Sequence, residues 1–164
     1  MRILGQLGPR FGEAAALRRR SVDLLRRRLV IAESLAEVNG RHVFGTTTTH
    51  AVRRVPLTAS LAEALADHLA GLPSDRDALV FTSPQGAPLR LSLFRSRDWL
   101  PALERTGLPA IGLHVLRHSA AAVMIRAGAS PKTVQTVLGH ASAEFTLTVY
   151  GHIFDADLDD RRTS

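Results

Sequence analysis

The sequence has no cysteine at all. That excludes a disulfide framework, a thiolate zinc site and cysteine nucleophile chemistry, leaving histidine and carboxylate groups as the available ligands. Aromatic residues make up only 5%, with a single tyrosine, Tyr150, and a single tryptophan. Lysine is nearly missing too: Lys132 stands alone, and every other member of the 21 basic residues is arginine. No run approaches the ~18 uncharged apolar residues that a membrane span needs, and MRILGQLGPR lacks the apolar h-region of a secretion signal. A cytoplasmic location is the default expectation. What is present is an ordinary globular mixture, 45% hydrophobic and 22% charged over 164 residues, enough for one core. The formal charge is +6. Because guanidinium groups grip phosphate oxygens as a fork, nucleic acid is the leading partner class, against the plainer reading of a basic soluble domain.

The periodicity predicts an α+β domain, mainly α-helical with a small three-stranded antiparallel sheet. Two short helices fill residues 3–19, divided at Gly8-Pro9. Leu29–Ala32 reads as a strand ending near Ser34, joined through an Asn39-Gly40 type I′ turn to a strand at His42–Phe44. A third strand follows at Val52–Leu57, after an exposed turn or loop over Gly45–His50. Leu61, Leu65 and Leu69 predict an amphipathic helix behind Thr58 or Ser60. Leu79–Thr82 is a short extended piece. Further helices are expected at about 92–105, 115–127, 131–139 and 143–150, with a polar, frayed tail over 155–164.

The densest polar cluster is His114-Val-Leu-Arg117-His118, where residues three and four apart share one helix face. Leu138-Gly139-His140 follows, then Tyr150-Gly-His152. In order and spacing these residues resemble the catalytic domain of the tyrosine recombinases, the phage-type integrases. The His-x-x-Arg box is similar to His114–Arg117, the Leu-Gly-His box to Leu138–His140, and the nucleophile box to Tyr150 with His152. Near the start, Gly8-Pro9-Arg10-Phe11-Gly12-Glu13 is similar to the family's first arginine box, although Pro9 departs from it. The family's lysine, on the turn between its second and third strands, aligns with Thr48.

The resemblance implies that the hydroxyl of Tyr150 attacks a DNA phosphodiester to form a 3′-phosphotyrosyl link, conserving the bond energy without ATP, metal or cofactor. Arg10 and Arg117 are implied to stabilise the extra charge of the pentavalent phosphate, with Glu13 as the buried partner of Arg10. His114 and His140 are implied to bond the same phosphate or to move protons. With Thr48 in place of the lysine, cleavage is expected to be impaired; His50 is the nearest candidate substitute and a DNA contact. The match begins at the first arginine box, so residues 1–154 are read as a truncated catalytic domain without the family's N-terminal DNA-clamping domain. The partner implied is double-stranded DNA, and a homo-oligomer on it, because family members exchange C-terminal segments.

Each residue also has a plainer role. Arg18, Arg19, Arg20 and Arg26, Arg27, Arg28 are candidate phosphate contacts or simply a solvated face. His118 reads as tying its helix to a neighbour rather than reacting. Two rival readings stay open. The helices at 115–127 and 131–139 suit a helix-turn-helix in a non-catalytic DNA-binding module, and His114, His118, His140 and His152 could hold zinc.

Overall fold

A computed structural model describes residues 2–47 and 50–162, with the side chains of His152 and 154–162 outside that description. The order is α1 (Arg2–Leu7), α2 (Phe11–Ala15), a 3₁₀ turn, β1 (Val22–Asp23), β2 (Arg28–Ile31), β3 (Glu33–Val38), β4 (Arg41–Thr46), β5 (Arg53–Pro56), α3 (Ala59–Ala70), α4 (Leu91–Phe94), a π-helical turn (Arg95–Trp99), α5 (Leu100–Arg105), α6 (His114–Arg126), α7 (Pro131–Leu138) and α8 (Ala143–Arg162).

The strands form two small sheets. β2 lies between β1 and β5 in one, and β3 pairs with β4 in the other, all antiparallel. This corrects the expected hairpin. Asn39-Gly40, with φ of 49° and 73°, is the left-handed turn expected, but it joins β3 to β4, and β2 pairs with β5 instead. The strand over Glu33–Val38 escapes the periodicity because it carries one buried residue, Leu35, which packs with Ala15 and Ala16. Arg18 and Arg20 also draw the chain aside there by bonding Glu33. The expected exposed turn over 45–50 holds at Gly45, Thr46 and His50, where the His50 amide donates to the Thr47 carbonyl at 2.8 Å, but β4 continues to Thr46, and Thr47 is buried with its hydroxyl donating to the Ala51 carbonyl at 3.0 Å. Thr48 lies outside the described residues.

In β2 and β5 alternate residues face the core, so Leu29, Ile31, Arg53 and Val55 point inward while Arg28 and Arg54 point out. The main core joins these strands to Ile3, Leu4 and Leu7 of α1 and to Leu61, Leu65 and Leu69 of α3. A second cluster unites α6, α7 and α8 through Ala121, Ile125, Val134, Leu138 and Tyr150. α7 starts on a Ser130 cap, whose hydroxyl accepts from the Thr133 amide at 3.1 Å, and stops at Gly139, φ 71°. α8 overruns its expected end at 150 and the expected frayed tail, remaining helical to Arg162, since no proline interrupts it. Among the described residues no helix is long and apolar enough to cross a membrane.

Candidate active site

The site gathers where the start of α2, the inward face of β5, the first turns of α6, the end of α7 and the middle of α8 converge. Its base is a buried ion pair between Arg53 and Glu13. Arg53, inward on β5, donates to Glu13 through Nη1 at 3.0 Å and Nη2 at 2.6 Å, and through Nε to the Val137 carbonyl at 3.1 Å. Both side chains are buried. Burial works to raise the Glu13 carboxyl, but the bonds and charge of Arg53, with the amide and guanidinium of Arg10, outweigh it and hold Glu13 below its ordinary value. The resemblance assigns Glu13 to Arg10; its closer partner is Arg53. The signal is available, since Arg53 stands in phase with Val55 and Leu57 on a strand whose alternate residues are core.

Arg10 is the outer guanidinium. It reaches Glu13 at 3.5 Å and the Gly139 carbonyl at 3.4 Å while remaining about a third exposed (34%). Arg117 is the inner one, 4% exposed, donating through Nη1 to the Gly8 carbonyl at 2.6 Å. Its Nη2 is buried and has no hydrogen-bond partner among the described residues. Burial first, then the neighbouring charges of Arg10 and Arg53, bring Arg117 down to about 10. It remains a cation at neutral pH, with that nitrogen enclosed by the protein. Gly8 makes this closeness feasible: at φ 62°, a Cβ there would sit 2.7 Å from Leu138 and 3.4 Å from the Arg117 backbone.

The histidines and the tyrosine stand around the arginines. His140 is buried, its Nδ1 paired with the Thr146 hydroxyl at 2.9 Å and its ring stacked on Tyr150 at 6.1 Å. Burial, then Arg117 and Arg10, push His140 down to about 4, so it is neutral at pH 7. His114 is exposed at the start of α6, edge-on to His118 at 4.9 Å, and is lowered by desolvation, His118 and Arg117. Tyr150 is 3% exposed, and its hydroxyl meets Nδ1 of His118 at 2.8 Å. The helix tie expected of His118 is therefore made to Tyr150 itself. Thr146 has no sequence signal beyond lying one turn before Tyr150 on α8.

The remaining predicted residues lie elsewhere. His50 is exposed and bonds the Thr46 hydroxyl at 2.7 Å. Arg18 bonds Glu33 and the Asp77 carbonyl and lies over the Phe44 ring, Arg19 bonds the Leu69 carbonyl, and Arg20 pairs with Glu33 and Asp77. These three guanidiniums fasten the 3₁₀ turn at Arg19–Ser21 to its neighbours. Arg26, Arg27 and Arg28 are exposed, and only Arg26 has a carboxylate partner, Asp23, among the described residues. Nor do the described residues hold a group of three or more side chains suited to a metal ion.

This mainly helical α+β domain has the fold of tyrosine recombinase catalytic domains. It superposes on the Tn1549 transposon integrase solved with transposon right end DNA at a TM-score of 0.80 and 20% identity, over 99% of this chain and 57% of that one. XerA recombinase gives 0.70 at 25% identity over 98% and 54%. The model of the phage integrase family matches residues 1–157, and the chain belongs to that family. Among relatives, it is 30% identical to the ICEBs1 integrase of Bacillus subtilis over 90% of this chain and 42% of that protein. It is 31% identical to tyrosine recombinase XerC of Brucella melitensis over 73% and 38%. The chain thus spans less than half the length of these relatives.

Proposed function

We propose that this chain performs DNA strand cleavage and rejoining for site-specific recombination, with Tyr150 as nucleophile and double-stranded DNA as substrate. The observation that carries the reading is Arg117: a cation 4% exposed whose Nη2 has no partner among the described residues, on the same helix turn as the histidine that holds the Tyr150 hydroxyl. A buried unsatisfied donor costs stability, and a phosphate oxygen would relieve it. Arg10 faces the same space from the solvent side and gives the second fork. His140, neutral at pH 7, and His114 contribute bonds to the nonbridging oxygens. The exposed Arg26, Arg27 and Arg28, with Arg54 on the same sheet face, contact the DNA backbone, and His50 lies on the turn beyond β4. Copies of the chain assemble on DNA as the family pattern implies.

Thr48 cannot protonate the leaving 5′-oxygen, so cleavage of ordinary DNA is slowed by about 10²–10⁴-fold relative to a site with a general acid there. A second reading, a non-catalytic DNA-binding module, is favoured by one observation: the Tyr150 ring is packed as a core residue. A randomised pool of nicked duplexes carrying a 5′-bridging phosphorothiolate separates the two, because sulfur leaves without protonation. A covalent protein–DNA band with the wild-type chain, absent in Tyr150→Phe, is expected. DNA binding without any band would establish the second reading.

A further inference from the structure

We propose that His118 is the catalytic base for Tyr150, its Nδ1 taking the hydroxyl proton as the phenol oxygen attacks phosphorus. This rests on the strand-transfer reading above and adds to it the fate of the proton. Among the described residues, the Tyr150 hydroxyl has one hydrogen-bond partner, His118 at 2.8 Å. His114 and His140, implied by the family pattern, do not share that role: His140 commits Nδ1 to Thr146 and meets Tyr150 ring to ring, and His114 meets the edge of His118.

The chemistry needs such a group. Burial pushes the Tyr150 phenol above its ordinary value, with Arg117 opposing, so the phenol stays protonated at neutral pH without a proton acceptor. His118 has the tautomer freedom to accept it, because with its own proton on Nε2 the Nδ1 lone pair faces the phenol. His118 is an exposed residue, which gives the captured proton a way to water. In the step, the Tyr150 O–H bond breaks and its proton passes to Nδ1. The phenol oxygen forms the bond to phosphorus, the bond from phosphorus to the 5′-oxygen breaks, and that oxygen takes a proton from water. Imidazolium then returns its proton to the hydroxide left behind. Rejoining runs the same transfers backwards, with imidazolium protonating the departing tyrosine.

The test compares single-turnover adduct formation on the phosphorothiolate pool by wild type, His118→Asn and His118→Phe. Asparagine keeps a hydrogen-bonding atom near the place of Nδ1 but cannot carry a proton away. His118→Asn is expected to be about 10²–10⁴-fold slower than wild type, and His118→Phe at least as slow. A rate close to wild type in His118→Asn would overturn the proposal, leaving His118 as a positioning residue if phenylalanine is slow and a bystander if it is not. Absence of adduct from wild type itself would instead remove the strand-transfer reading, and this proposal with it. Should the variants fail to fold, ¹⁵N-histidine NMR of wild type against Tyr150→Phe serves: the proposal requires the His118 Nδ1 signal to move when the hydroxyl is removed, and an unmoved signal overturns it.

Discussion

Arg53 and Arg117 are both buried guanidiniums within the same converging set of elements, yet their surroundings differ. Around Arg53 all three nitrogens are bonded, two of them to the Glu13 carboxylate. Around Arg117 one nitrogen reaches the Gly8 carbonyl, another is buried without a partner among the described residues, and the neighbouring charges are cationic as well as anionic. The first region is closed by the protein's own acid and serves the fold. The second keeps positive charge without full compensation, which stability alone does not favour and which an arriving phosphate would satisfy. Two buried charges of the same kind are thus told apart by their partners.

The largest expected effect tests the closed region. Glu13→Ala strands Arg53 as a buried charge without its carboxylate and is expected to cost about 3–5 kcal/mol, read from urea unfolding. A loss near that of a surface substitution would show that Arg53 has another outlet. Next comes Gly139→Ala. The residue has φ 71°, and a Cβ would lie 2.8 Å from the Arg53 guanidinium, so a cost of about 1–3 kcal/mol in thermal or urea unfolding is expected.

The pH dependence of stability reports on His140, beside Arg117. His140 falls from 6.5 to about 4 on folding, so between those values the unfolded chain binds more protons. Its contribution to stability is therefore complete above pH 6.5 and declines as pH falls towards 4. Urea midpoints measured across that range should drop for wild type and drop less for His140→Gln; equal slopes would contradict the assignment. The smallest effect separates the two arginine triplets. Replacing Arg26, Arg27 and Arg28 with alanine should flatten the salt dependence of DNA binding, by about 0.9 in log–log slope for each phosphate left without its arginine. Replacing Arg18, Arg19 and Arg20 should instead lower the unfolding midpoint and leave that slope nearly unchanged.

How legible all this is in the sequence depends on whether a residue's role is local. Asn39-Gly40 announces its turn because the left-handed conformation is a property of two residues, but which strands it joins depends on Glu33 finding Arg18 and Arg20 across the fold. The boxes around Arg10, His114, Arg117, His140 and Tyr150 can be read through their resemblance to the family's motifs. Their convergence depends on helix packing that no short segment encodes. Arg53 is in view, in phase with two core residues, yet a charge in a core position suggests a surface strand until its acid partner is placed 40 residues away. His118 carries an ambiguous signal, since a histidine beside a packed helix is most often a tie; only the distance to Tyr150 shows what it ties.

The most direct test of the central claim is Arg117→Met, followed by urea unfolding and by mass spectrometry of the Tyr150 peptide after incubation with the phosphorothiolate pool. If the open guanidinium exists for phosphate, the variant keeps its stability or gains some, because an unpaired buried charge gives way to a hydrophobic chain, while nucleotide-modified Tyr150 is lost. A variant that unfolds as readily as Glu13→Ala, or that still carries nucleotide on Tyr150 at the wild-type level, would contradict the account.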